Sequence, residues 1–257
     1  MQNTSTRQPL SAVIIACNAA SQLPLCIQSL RVAEEVLVVD SGSSDHTPEI
    51  ATQNGARVLH QAWLGFGKQK QFAVEQAKHD WVLCLDADEY LSDGLIAEIK
   101  ALMTAPLYYA YEMPRRNYFM GRWLAHGEGY PDRHVRLFHR RHAQWSADEV
   151  HEQVVGDDGK IGRLHNDLMH RSEQNLTHYL DKQNRYTSLQ AEALFRRGEK
   201  PRISRLILSP GWRFLKFYII RFGFLDGLAG FTHISIGCFN SFIKYAKLAQ
   251  RYKEAQR

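Results

Sequence analysis

The stretch Trp81-Val82-Leu83-Cys84-Leu85-Asp86-Ala87-Asp88-Glu89-Tyr90 sets the tightest limit on what this chain can fold into. Five apolar residues without alternation run straight into three acids. The run is too short for a helix of its own and suits a strand buried on both faces of a parallel sheet. Such a strand presents Asp86 and Asp88 at its carboxyl end, the edge of an open α/β sheet where ligands bind. Two acids spaced i, i+2 can share a hard divalent cation, Mg²⁺ or Mn²⁺, which takes oxygen ligands and neutralises phosphate charge. Taken alone, the same residues also describe a solvated turn after a strand.

The segments before it decide between those readings. Ser11 to Cys17 reads as a buried first strand ending at Asn18, and Leu23, Ile27 and Leu30 give one helical face. Val36 to Val39 is a second buried strand that stops on Asp40. A polar turn follows, then Thr47 as N-cap with Pro48 at the first helical position and Gly55 as the stop. Ala56 to Leu59 is a short third strand, and Gln69 to Lys78 has helical spacing. Strands alternating with helices predict βαβ units and a parallel sheet. Crossover handedness puts every carboxyl end on one edge, so Asn18, Asp40, Asp86 and Asp88 are expected to converge on one crevice. No GxGxxG or Walker sequence follows the first strand, so phosphates there would be held by acids and a metal.

Later segments change character. Ser92 to Met103 is amphipathic, and Leu107 to Met113 resembles a strand. Arg115 to Trp145 mixes arginines with aromatics, a composition that suits phosphorylated sugars, RNA or an ordinary exposed sheet. Asp148-Glu149-Val150-His151-Glu152 clusters acids around a histidine, and Leu168-Met169-His170 follows. Ser172 to Arg197 predicts a long helix. In Leu206 to Lys247 the longest uncharged run, Gly227 to Ile243, falls short of the ~18–20 apolar residues that span a bilayer. Its aromatic and basic flanks fit a segment lying in the membrane interface, or a helical pair packed on protein.

At 257 residues, 44% hydrophobic and 23% charged, the chain can bury one sizeable core. The net charge of +5 favours an acidic partner. Two of the four cysteines, Cys17 and Cys84, lie in expected buried strands and read as reduced core thiols. The twelve histidines form no HExxH or Cys/His cluster, which argues against structural zinc. Met1 to Pro9 is polar without an apolar core, so a signal peptide is not expected and the cytoplasm is.

Three pieces in order, SAVIIACN, EVLVVDSGSSDHT and DWVLCLDADEYL, resemble glycosyltransferase family 2, the inverting nucleotide-sugar enzymes of GT-A fold. They cover the first hundred residues. VHEQV, the KQNRY helix and FGFLDGLAGF resemble the branch that glucosylates heptose in the lipopolysaccharide inner core. The resemblance implies an α/β, Rossmann-like, mostly parallel sheet flanked by helices. Residues 1–171 are expected to form the catalytic domain, binding nucleotide-sugar and acceptor, and 172–257 a helical extension that its aromatic and basic composition places in the membrane interface. Asp40 would meet the nucleotide base, most often uracil. Lys70, just before the helix ahead of the Asp-x-Asp strand, matches a basic nucleotide contact. Asp86 would touch the ribose or the metal, with Asn18 and Ala87 lining the same site. Asp88 would hold the metal, with His170 as a further ligand. Glu152 is the first choice for the base, because that branch has His-Glu here, and Asp148 and Glu149 are the fallbacks. Implied partners are a UDP-sugar (UDP-glucose), a lipopolysaccharide inner-core acceptor and the cytoplasmic face of the bacterial inner membrane, with no nucleic acid.

Two departures stand out. Ala16-Cys17-Asn18-Ala19 replaces the family's frequent Thr-Tyr-Asn-Glu, and Gln71 stands where Asn is usual. The QxxRW motif of processive synthases is absent, which favours single-sugar addition. Another nucleotide sugar or another cell-surface glycan is the alternative within the class. A basic nucleic-acid-binding protein is the rival from another class, and it leaves the acids at the strand ends unexplained. A nucleotidyltransferase would want a Gly-rich loop after the first strand, which Asn18 to Gln22 does not provide.

Overall fold

The structure is a computed structural model that describes residues 7–146, 153–156, 159–171 and 175–255. The chain divides into two compact units, Met1–Arg115 with Arg133–Arg171, and Arg116–Asp132 with Ser172–Arg257.

In the first unit, β1 (Leu10–Ala16), β2 (Glu35–Asp40), β3 (Arg57–His60) and β4 (Trp81–Asp86) alternate with α1 (Leu23–Ser29), α2 (Thr47–Gln53) and α3 (Phe66–Glu75). After β4 come β5 (Glu89–Leu91), α4 (Asp93–Leu102) and β6 (Ala110–Phe119). Then come β7 (Arg122–Trp123), which belongs to the second unit, and β8 (Asp132–His139), β9 (Ala143–Trp145), β10 (Val154–Gly156), β11 (Gly162–Arg163) and β12 (Leu168–His170). The main sheet runs β3-β2-β1-β4-β8-β6-β12-β5 and is mixed. Its β3-β2-β1-β4 half is parallel, and β8 joins β4 antiparallel.

The unbroken apolar runs are explained by burial on both faces. Ala12, Ile14 and Ala16 pack with Leu83, Leu85 and the apolar sides of α1 and α4. Val13 and Ile15 point the other way, with Leu37, Val39, Val82 and Cys84 against Ala73 and Val74 of α3. Leu23, Ile27 and Leu30 are buried as their spacing predicts, and Ser92 caps α4 by accepting the Leu95 N–H.

Several local expectations are corrected. Thr47 does not cap α2: it is the first helical residue and fully buried, and its hydroxyl accepts the Ala19 N–H and donates to Asp45. Gly55, at φ +83°, does follow the helix end. Cys17 lies past the end of β1 and is exposed, whereas Cys26 and Cys84 are buried. Lys70 is inside α3 rather than before it, because the helix starts at Phe66. β6 starts at Ala110 rather than Leu107, whose side chain is exposed while the Tyr111 hydroxyl accepts the N–H groups of Leu107 and Tyr108.

The second unit contains α5 (Leu176–Arg196), α6 (Ile203–Phe214), a π turn (Leu215–Ile220), a 3-10 turn (Gly223–Asp226) and α7 (Gly227–Glu254). Asn175 caps α5 through the His178 N–H. Lys247 donates to Thr187 and Ser188, and Asn240 to Gln183, which ties the later half of α7 to α5. Buried Asp226, in FGFLDGLAGF, accepts the N–H groups of Ala125 and His126 and faces Arg122. It thereby holds the Arg116–Asp132 segment on the C-terminal helices. A Cβ on Gly230 would stand 2.4 Å from the Gly223 carbonyl oxygen, so only glycine allows that approach.

His233 lies among Phe119 and Tyr179, with its Nδ1 buried and unpartnered among the described residues. Burial, reinforced by the nearby Arg213 cation, pushes the imidazole down to about 4 from an ordinary 6.5. Its contribution to stability is therefore complete above about pH 6.5 and lost as pH falls towards 4. We expect His233→Phe to remove about 2–3 kcal/mol of acid sensitivity in that window, read from urea unfolding of the full chain at stepped pH. An unchanged pH profile would show that the imidazole reaches water in the folded state.

Candidate active site

The site is built at the carboxyl edge of the parallel half. The register sets Asp86 opposite Ile15 and Asp40 opposite Ala16, so β1, β2 and β4 end together. Asn18 adopts φ 51°, in the left-handed region. There its N–H donates to Ser43 Oγ at 2.9 Å, and its Oδ1 accepts the Ser44 N–H at 2.8 Å. Asp40 is buried and accepts the N–H groups of Gly42 and Ser43 and the Ser43 hydroxyl. Asn18 and Asp40 thus share one rigid loop, Ser41 to Asp45.

At the end of β4 sits a network of charges. Lys70 reaches from α3 with its side chain 4% exposed and its Nζ 3.1 Å from Asp86 Oδ1. Arg136, on β8, donates through Nη2 to Asp86 Oδ2 at 3.0 Å and to Glu89 Oε1 at 2.7 Å. Glu89 is fully buried, accepts the Asp86 N–H at 3.0 Å and lies 3.3 Å from Arg115. Trp145 closes this side: Lys70 Nζ is 4.9 Å and the Arg136 guanidinium 5.8 Å from its ring. Its indole N–H points to Cys84 Sγ at 3.4 Å. Burial alone would raise the Asp86 carboxyl, but the Lys70 and Arg136 cations outweigh it and hold Asp86 well below the usual carboxylate range. Asp86 is a permanent anion at neutral pH.

Asp88 is placed differently. β12 pairs antiparallel with β5, His170 opposite Glu89, and this brings His170 Nε2 to 3.2 Å from Asp88 Oδ2. Both side chains are about one-fifth exposed, 19% for His170 and 22% for Asp88. A carboxylate oxygen and an imidazole nitrogen at that separation suit Mn²⁺ or Mg²⁺. No group of three or more metal-ligating side chains occurs among the described residues. The pair therefore fits a cation that takes its other ligands from a substrate and water, as Mg²⁺ does at phosphates.

Asn18, Asp40, Lys70, Asp86, Ala87, Asp88 and His170 all belong to the first unit. Glu152, Asp148 and Glu149 lie outside the described residues. Flanking them, Ser146 N–H donates to the Gln153 carbonyl at 2.8 Å, and Val154 pairs with Trp145. Four residues of the network are not marked as site residues by the sequence: Glu89, Arg115, Arg136 and Trp145. Glu89 was visible as the third acid after Leu85. Arg115, Arg136 and Trp145 were lost among the arginines and aromatics of their segment, where nothing local separates a buried side chain from an exposed one.

Residues 11–157 match the family described as Glycosyl transferase family 2. The chain is similar to the lipopolysaccharide core biosynthesis glycosyltransferase LpsC of Rhizobium meliloti, 31% identical over 252 residues that cover 95% of this chain and 93% of the relative. It is 34% identical over 257 residues to an uncharacterized glycosyltransferase of Rickettsia bellii, covering 94% and 86%. Among solved structures, mannosyl-3-phosphoglycerate synthase from Rubrobacter xylanophilus aligns at TM-score 0.50 and 16% identity over 76% of each chain, a likeness of fold. That likeness agrees with the GT-A arrangement of sheet and helices. With its catalytic half matched and its relatives similar almost end to end, the chain is a glycosyltransferase and belongs to glycosyltransferase family 2.

Proposed function

We propose that this enzyme moves a single glucose from UDP-glucose to a heptose of the lipopolysaccharide inner core, with inversion, using Mg²⁺ or Mn²⁺. The observation that carries the proposal is the Asp88–His170 pair beside the Asp86–Lys70–Arg136 network, on the edge where Asp40 and Asn18 end. Support for the acceptor comes from the Rhizobium relative, a glycosyltransferase of lipopolysaccharide core biosynthesis.

The chemistry follows from the charges. An acceptor hydroxyl loses its proton to a carboxylate, Glu152 in this reading, as its oxygen attacks the anomeric carbon. The bond from that carbon to the diphosphate oxygen breaks on the opposite face, and its electron pair leaves with the UDP. Asp88 and His170 would hold the cation, which supplies positive charge to the diphosphate. Asp40 accepts from the base, and its loop bonds fix the carboxylate beforehand. Asp86, anchored by Lys70 and Arg136, presents a fixed anion for a ribose hydroxyl. The same acids argue against a nucleic-acid partner. The arginines of the Arg115 to Trp145 segment suit the carboxylates and phosphates of inner-core lipopolysaccharide. This function goes with a location at the cytoplasmic face of the bacterial inner membrane.

Titration of UDP, then UDP-glucose, into the full chain with and without Mn²⁺ tests the donor. We expect metal-dependent binding that Asp88→Ala weakens by at least about tenfold, since a carboxylate ligand is lost. Binding equally tight without metal, or none with the fold intact, would overturn the assignment of UDP and its cation.

A further inference from the structure

The second unit carries a surface that sugar transfer leaves unused. α6 buries none of its residues. Ile203, Ile207, Leu208, Trp212, Leu215 and Ile219 fall at helical spacing along α6 and the π turn, and are 79%, 64%, 67%, 61%, 44% and 49% exposed. The stripe continues past the bend through Leu225 and Leu228, 53% and 71% exposed. The other side of the same elements is engaged. Arg213 pairs with Glu128, and Arg221 donates to the Tyr130 and Pro131 carbonyls. These contacts hold the elements with the apolar stripe facing outward. So many large apolar side chains exposed along one segment mark an interaction site.

Charge identifies the occupant. Leading into the stripe are Arg196, Arg197, Lys200, Arg202 and Arg205, of which Arg196 pairs with Glu192 and Arg205 with Glu199, which leaves a net positive rim. A second copy docked face to face would bring an equally basic rim against this one. A surface of anionic lipid takes up both the apolar stripe and the cations. We propose that α6, the π turn and the bend into α7 form a docking face that lies in the plane of an anionic membrane, with the apolar stripe in the headgroup–acyl boundary.

In this proposal the face lies in the interface and does not span. No single helix among the described residues is long and apolar enough to cross, and the two helical stretches that together have the length and composition of a broken span are bent by 76°. At ~1.5 Å per residue, α6 reaches little more than half of the ~30 Å hydrocarbon core. Lys216 and buried Asp226 also sit within the bent segment.

The test is flotation of the full chain with vesicles of equimolar phosphatidylglycerol and phosphatidylcholine, and with phosphatidylcholine alone. We expect binding to the anionic vesicles that weakens with salt and is much lower on the neutral ones. Ile207→Glu with Leu208→Glu should lower the partition coefficient by about a hundredfold or more, since two buried apolar contacts become charges. Arg197→Gln with Arg202→Gln should erase most of the anionic preference while keeping the neutral-vesicle level. A wild-type chain that stays unbound at low salt overturns the proposal. So does a dimer in light scattering that Ile207→Glu with Leu208→Glu converts to monomer while flotation is unchanged. If that double variant fails to fold, brominated lipid decides: it should quench the emission that Trp212→Phe removes, and no quenching overturns the proposal. UDP titration of the same preparations separates this proposal from the donor assignment, because either result can fail while the other holds.

Discussion

Replacing Arg136 with methionine is expected to cost about 3–5 kcal/mol of folding stability, because it leaves buried carboxylates without their shared cation. Glu89 is fully buried and has its closest charge contact, 2.7 Å, with Arg136. Arg115, at 3.3 Å, is more distant and partly exposed. Asp86 would retain Lys70 but lose the bond at 3.0 Å. Methionine is close in length and apolar, so the loss reports charge more than a cavity. The second variant, Arg136→Met with Glu89→Gln, is expected to recover a large part of it, since a neutral amide is cheaper to bury than an unpaired carboxylate. Urea unfolding followed by Trp145 emission, with Trp145→Phe as the subtraction, reads the right region. A single-variant loss below about 1 kcal/mol would mean that water or Arg115 already compensates Glu89, and the network would not be what orders this edge.

The same network has a pH signature. Asp86 is held below its ordinary value, so its contribution is complete above the unfolded carboxylate value of ~3.9 and drains as pH falls below it. In Arg136→Met part of that acid-labile stability disappears, and the acid limb of the unfolding curve becomes shallower.

How much of this was legible depended on how far the chain must travel to make each contact. The β1, β2 and β4 runs were readable because a strand buried on both faces needs an unbroken apolar string. Their shared edge followed from topology, and the register of Asp40 with Ala16 and Asp86 with Ile15 agrees with it. Arg136 was illegible as a site residue because it acts only through β8 lying antiparallel beside β4, about fifty residues from the acids it binds. Composition marked its segment as basic and aromatic, which is equally true of exposed Arg141. His170 meets Asp88 across the β5–β12 pairing, and only family resemblance had singled it out. The Thr47 error has a local cause: a hydroxyl before proline signals a cap, but here Asp45 and the Ala19 N–H compete for it. The grouping of Arg116–Asp132 with the C-terminal helices rests on Asp226, a hundred residues away from its N–H donors, beyond any window of periodicity.

Glu152→Gln is expected to lower turnover by ~10²–10⁴ while UDP-glucose affinity stays within about twofold, the pattern of a lost general base. Glutamine keeps the size and one acceptor oxygen but cannot take the hydroxyl proton at neutral pH. The described residues on either side give this prediction its physical footing. Gln153 bonds to Ser146, Val154 pairs with Trp145, and the Trp145 ring lies against Lys70 and Arg136, both of which contact Asp86. The loss should fall on kcat and kcat/KM together, since proton removal stabilises only the transition state. A loss below tenfold, with Asp148→Asn or Glu149→Gln reduced instead, would move the base to that residue. If all three variants turned over normally, the base would have to come from the acceptor side or the acceptor itself, and the acids between Trp145 and Gln153 would serve acceptor binding.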